Sequence, residues 1–82
     1  MTIFPNPVYR ELKAQVLSNT VKPTIWRIID NTGRTVRSGN SILSKGVNAL
    51  SINLGPLAVG TYYLKITGTD MDLNSRFVIA GN

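Results

Sequence analysis

The 82-residue chain has no cysteine and no histidine. That excludes disulfides, zinc sites built on those ligands, and any catalytic triad that needs an imidazole base. It does not fix the compartment. Carboxylates are also scarce: Glu11, Asp30, Asp70 and Asp72 are the whole set. No pair among them recommends itself for general acid–base catalysis, so no enzyme activity is expected. Asp70-Met71-Asp72 invites a calcium reading, but two carboxylates fall short of a cage of about six or more oxygens. An ordinary polar turn is the better reading, with no metal and no cofactor. No apolar run is long enough for a membrane span, so direct membrane insertion is not expected. The opening Met1-Thr2-Ile3-Phe4-Pro5 lacks the basic start and apolar core of a signal peptide. If the protein is exported, the chain is expected to be part of a longer precursor.

The charge that is present is positive: nine Lys and Arg against four acids, net +5, with a pI near 10.1. A basic domain raises a nucleic-acid reading. Phosphate tracking needs clustered cations, with aromatics between them for single strands. Here the cations are scattered, and Arg34 with Arg37 is the nearest approach to a cluster. A solvated surface with no nucleic-acid partner is the simpler account. The length suits one domain, spanning residues 1–82.

Alternation with period two dominates the chain, and no long helical stripe appears. It predicts seven strands, at residues 2–4, 11–17, 24–30, 34–38, 47–54, 61–67 and 75–80. The first is stopped by Pro5-Asn6-Pro7. A helix competes for 11–17, because Glu11-Leu12-Lys13-Ala14-Gln15 has good helix propensity. Asp30-Asn31-Thr32-Gly33 puts Asp at the start of a turn and Gly where φ must be positive. That predicts a hairpin closed by a glycine bulge. Residues 39–46 read as a polar loop around Ile42-Leu43, and residues 68–72 as a turn. Gly81-Asn82 is a tail.

Seven short strands with turn signals between them predict an all-β, immunoglobulin-like β-sandwich of about seven antiparallel strands in two sheets. Its inner face is expected to hold Leu12, Ala14, Val16, Trp26, Ile28, Val36, Leu50, Ile52, Leu54, Tyr62, Leu64, Ile66, Phe77 and Ile79. Trp26, Tyr62 and Tyr63 would form a sugar-stacking platform only if they shared an exposed face. The alternation places Trp26 and Tyr62 inside and Tyr63 on the opposite face. Gly60 is read as the sharp entry to the sixth strand. Tyr62 would bury its ring and keep its hydroxyl on a backbone partner.

The order of these features says more than any one alone. It runs Ile3-Phe4-Pro5-Asn6-Pro7, then Ile28-Ile29-Asp30-Asn31-Thr32-Gly33-Arg34-Thr35-Val36, then Gly46-Val47-Asn48. Leu50-x-Ile52-x-Leu54 follows, then Leu57 to Ile66 with Gly60-Thr61-Tyr62, and finally Arg76-Phe77-Val78-Ile79. This succession, from about residue 3 to 80, resembles the C-terminal sorting domain of bacterial type IX secretion cargo, in its type A form. The position of the last strand, with only Gly81-Asn82 after it, fits the resemblance. The chain departs from the family pattern at Asn31 and in having one cation, Arg76, before the last strand instead of a lysine pair.

The resemblance implies a non-catalytic secretion signal at the end of a longer cargo protein. The cargo would cross the periplasm and leave through the type IX translocon in the outer membrane. A sortase-like protease would then remove the domain, and the cargo would be secreted or held at the cell surface. Recognition is expected at Arg76, Phe77, Val78, Ile79 and Ala80, with Lys65 and Tyr63 beside them. If the last strand lies at a sheet edge, its backbone can pair with a receptor strand. Pro5, Asn6, Pro7, Asp30, Gly33, Gly60 and Tyr62 are expected to be structural. The alternative is an immunoglobulin-like or fibronectin-like spacer or carbohydrate-binding module of an extracellular protein, which shares the fold. The oligomeric state and the cargo are left open.

Overall fold

A computed structural model describes residues 1–5 and 7–81. Asn6 and Asn82, one in the Pro-Asn-Pro motif and one in the tail, lie outside the described residues. Seven strands form two sheets and there is no helix among the described residues: β1 Thr2–Phe4, β2 Glu11–Ser18, β3 Lys22–Asp30, β4 Thr35–Leu43, β5 Gly46–Asn53, β6 Gly60–Gly68 and β7 Met71–Ile79. One sheet runs β1-β2-β5 and the other β4-β3-β6-β7, with every strand pair antiparallel. The sandwich arrangement agrees with the immunoglobulin-like expectation. The segment 11–17 is strand: in β2 every second residue from Leu12 to Ser18 is buried, the signature of a half-buried strand.

The interior forms where the alternating faces of the two sheets meet. Leu12, Val16, Ile28, Leu54, Leu64 and Ile66 are fully buried, and Ile52, Tyr62, Phe77 and Ile79 nearly so. Trp26, Val36 and Leu50 are half-buried against this cluster. Two members escaped the sequence reading. Val8 is completely buried in a connecting segment, and Leu43 is completely buried in a stretch that reads as loop.

Leu43 marks the largest correction. Residues 39–43 continue β4, and only Ser44 and Lys45 connect it to β5. The polar run Ser38-Gly39-Asn40-Ser41 hides the strand in a propensity reading. Gly39 has a packing reason to be there. It stands opposite Trp26 on β3, and the indole lies against its backbone. A Cβ built on Gly39 would sit 2.5 Å from the ring. Gly39→Ala is therefore expected to lift the indole off the sheet. Trp26 is the only tryptophan, so a red shift of the intrinsic emission reads this directly; an unchanged spectrum would mean that the ring does not pack there.

The residue 68–72 turn is likewise shorter than expected. Gly68 pairs with Met71, so the hairpin loop is Thr69-Asp70, with Asp70 at φ 57°. Asp tolerates that left-handed conformation better than most residues. Pro23 lies within β3 where β6 no longer reaches, so its missing N–H costs no ladder bond on that side.

The predicted Asp30–Gly33 hairpin is present. Gly33 takes φ 88° and its N–H donates to the Asp30 carbonyl at 3.0 Å. The Asp30 carboxylate accepts from the Thr32 hydroxyl at 2.6 Å, the Thr32 N–H at 2.9 Å and the Arg34 N–H at 3.0 Å. These donors, the Thr32 hydroxyl foremost, hold its pKa below the ordinary carboxylate value. The register slips between Ile28 and Ile29, which makes Val36 the extra residue of a bulge.

Candidate functional site

The alternation of β7 divides its residues into two sets. Met71, Leu73, Ser75, Phe77 and Ile79 turn inward, and Asp72, Asn74, Arg76 and Val78 are exposed on the outer face. The recognition segment predicted over residues 76–80 is split accordingly. Phe77 and Ile79 are core residues, and the Phe77 ring stacks on Tyr62 with centroids 6.0 Å apart. Only Arg76 and Val78 of that segment stand exposed.

β7 is an edge strand, as strand addition requires. Its C-terminal end is already occupied, however. Val8 forms a parallel bridge with Ile79: its N–H donates to the Val78 carbonyl at 2.9 Å, and the Ala80 N–H donates to the Val8 carbonyl at 2.8 Å. The chain after Pro7 thus straps the end of β7. Among the described residues, nothing pairs with the outer edge of β7 from Met71 to Ser75.

The other predicted recognition residues come together on the outer face. Tyr63 on β6 stands directly opposite Arg76 on β7, and Lys65 opposite Asn74. One further residue belongs here that the sequence reading passed over. Arg27 on β3 stands directly opposite Lys65. Arg27, Lys65 and Arg76 therefore form a cationic row across three strands. The two ion pairs among the described residues, Lys13–Glu11 and Arg34–Asp30, lie elsewhere. Arg34 and Arg37 do not form a basic cluster. Arg34 lies 3.6 Å from its Asp30 partner, while Arg37 donates to the Val36 and Leu54 carbonyls at 2.7 and 3.2 Å, tying β4 to the segment that follows β5.

Like charges directly opposite each other weaken a sheet. Lys65→Gln is therefore expected to stabilise the fold, by about 0.2–1 kcal/mol. Urea unfolding measures this, and a loss of stability would show that the lysine stem matters more for packing than its charge does for repulsion.

The structural residues sit as follows. Pro5 and Pro7 are exposed on the link from β1 to the Val8 strap, and the Phe4–Pro5 bond is cis. Gly60 opens β6 opposite Ile79. The Tyr62 hydroxyl donates to the Ala58 carbonyl at 2.7 Å. Trp26 and Tyr62 face the interior and Tyr63 the exterior, so these three offer no shared sugar-stacking platform. Asp70 and Asp72 belong to the β6–β7 hairpin, and among the described residues no group of three or more potential metal ligands occurs.

The fold is a two-sheet sandwich with one strapped edge strand, β7. Residues 2–80 match the family described as the secretion system C-terminal sorting domain, the sorting domain of type IX secretion. The chain belongs to that family. No curated protein and no solved structure matches the chain. Membership makes this a signal for export, carried behind an N-terminally fused cargo and acting through the type IX machinery, with the cargo delivered to the outer membrane, the cell surface or the medium.

Proposed function

We propose that residues 1–82 act as one non-catalytic sorting unit, which carries a folded cargo from the periplasm through the outer-membrane translocon. A sortase-like protease then removes it, and the cargo is released or attached to the surface. The observation that carries this reading is the family match over residues 2–80. The domain is the substrate of the processing step. Its recognition surface is the outer face around Arg76, Lys65 and Tyr63, together with the edge of β7. Val8 occupies that edge at residues 78–80, so strand addition is proposed for Met71–Ser75. Phe77 and Ile79 hold the strand to the core, and Val78 and Ala80 hold the strap.

The test is an export assay. Residues 2–82 are fused to the C-terminus of a periplasm-directed fluorescent protein and expressed in a type IX-competent host and in a matched strain lacking the translocon. Fluorescence outside the cell or on its surface is expected only in the competent strain. Retention of a folded fusion in both strains would overturn the reading. Arg76→Ala, at an exposed position, is expected to lower export severalfold without lowering stability. Undiminished export would remove that side chain from the mechanism.

A further inference from the structure

The outer face of β4-β3-β6-β7 is built at a cost to its own stability. Arg27 and Lys65 are in register as direct neighbours, where like charges repel. Arg76 lies diagonal to Lys65 on the next strand. The single carboxylate on the face, Asp72, is opposite Thr67 and makes no ion pair within 4.0 Å. Both Arg27 and Lys65 are half-buried, the degree of burial expected of long side chains that cover a sheet with their stems while their heads stay hydrated. Among the described residues, none of the three cations in this row makes an ion pair.

We propose that this face docks an extended acidic segment of a protein partner, whose carboxylates are taken by Arg27, Lys65 and Arg76. Guanidinium and ammonium groups form their strongest hydrogen bonds to carboxylates or phosphates. The neighbours decide between those two. Binding single-stranded nucleic acid needs several stacking aromatics, and the only aromatic on this face is Tyr63. An extended peptide lying across the strands needs a shallow apolar seat. A groove walled by Pro23, Ile25 and Ile42 at the end of the same face offers one. Charge complementarity therefore selects an acidic strand.

This deepens the export reading, because it names the chemistry of the partner at the same face. Its test is made on the isolated 82-residue chain, so a failed export assay leaves it standing and a failed binding assay leaves the export reading standing. The probe is a synthetic peptide of alternating threonine and glutamate, about eight residues long, roughly the length of these strands. Its controls are the threonine–glutamine peptide and an oligothymidine of equal length.

In an amide NMR titration, the glutamate peptide is expected to give saturable shifts at residues 25–29, 63–67 and 72–76. The double variant Arg27→Gln, Lys65→Gln is expected to weaken binding at least about tenfold, the size of one charge-assisted hydrogen bond. Raising NaCl from about 50 to about 500 mM is expected to weaken it as well. A thermal melt confirms that the double variant is folded, and relief of repulsion predicts an unchanged or higher midpoint. No saturable shift, or equal shifts with the glutamine peptide, would overturn the proposal. Tighter binding of oligothymidine to the same residues would overturn it in favour of a nucleic-acid surface.

Discussion

Tyr62→Ala is expected to cost about 3–5 kcal/mol of folding stability, the range for removing a large aromatic from a core. The ring is 7% exposed and stacks on Phe77, so truncation opens a cavity between β6 and β7. It also removes the donor to the Ala58 carbonyl, which ties the segment before β6 to the sandwich. A domain of this size has only about 4–12 kcal/mol to lose, so the variant is expected to be partly unfolded at moderate temperature. Tyr62→Phe separates the contributions: it keeps the ring, drops the hydroxyl, and should cost about 0.5–1.5 kcal/mol. Equilibrium denaturation of the pair gives both numbers. A loss below about 1 kcal/mol for Tyr62→Ala would mean that the two faces of β6 are assigned the wrong way round.

Leu43→Ala is expected to cost about 2–5 kcal/mol, whereas Ile42→Ala should stay within about 0.5 kcal/mol. The contrast follows from one residue of register. Leu43 is completely buried at the end of β4, and Ile42, 73% exposed, points the other way. If residues 39–46 formed a surface loop, both substitutions would be mild. Denaturant midpoints for the two variants therefore test the extension of β4. Equal effects would return this segment to a loop.

These two residues show how far the sequence reading reached. Tyr62 was legible because it sits in an unbroken alternation with Leu64 and Ile66, and alternation is a local property. Leu43 was not, because Ser38, Gly39, Asn40 and Ser41 carry turn-like composition, and what makes them strand is pairing with β3. Gly39 is informative here: it reads as a break in the sequence, yet the Trp26 indole occupies the space a side chain would need. Val8 was missed for a related reason. It follows two prolines and belongs to no alternating run, and its burial depends on Ile79 at the far end of the chain.

The candidate site divides in the same way. Arg76, Tyr63 and Lys65 were placed correctly on the side away from the core, since each lies one residue from a buried neighbour. That Arg27 completes their row was out of reach, because Arg27 meets Lys65 only once β3 pairs with β6. Nor did the strand pattern reveal that the Val8 strap covers the end of β7.

Local alternation was enough to place most of the strands and to tell the apolar face of each. The sequence also carried the family resemblance, which depends on the order of motifs. Both are properties of neighbouring residues along the chain. Which strands lie side by side, which edge stays open and which charges share a face emerge only in the folded sandwich. Pairing is chosen by the joint burial of apolar faces from distant segments. Polar side chains on the opposite faces are carried along into contacts that nothing local specifies.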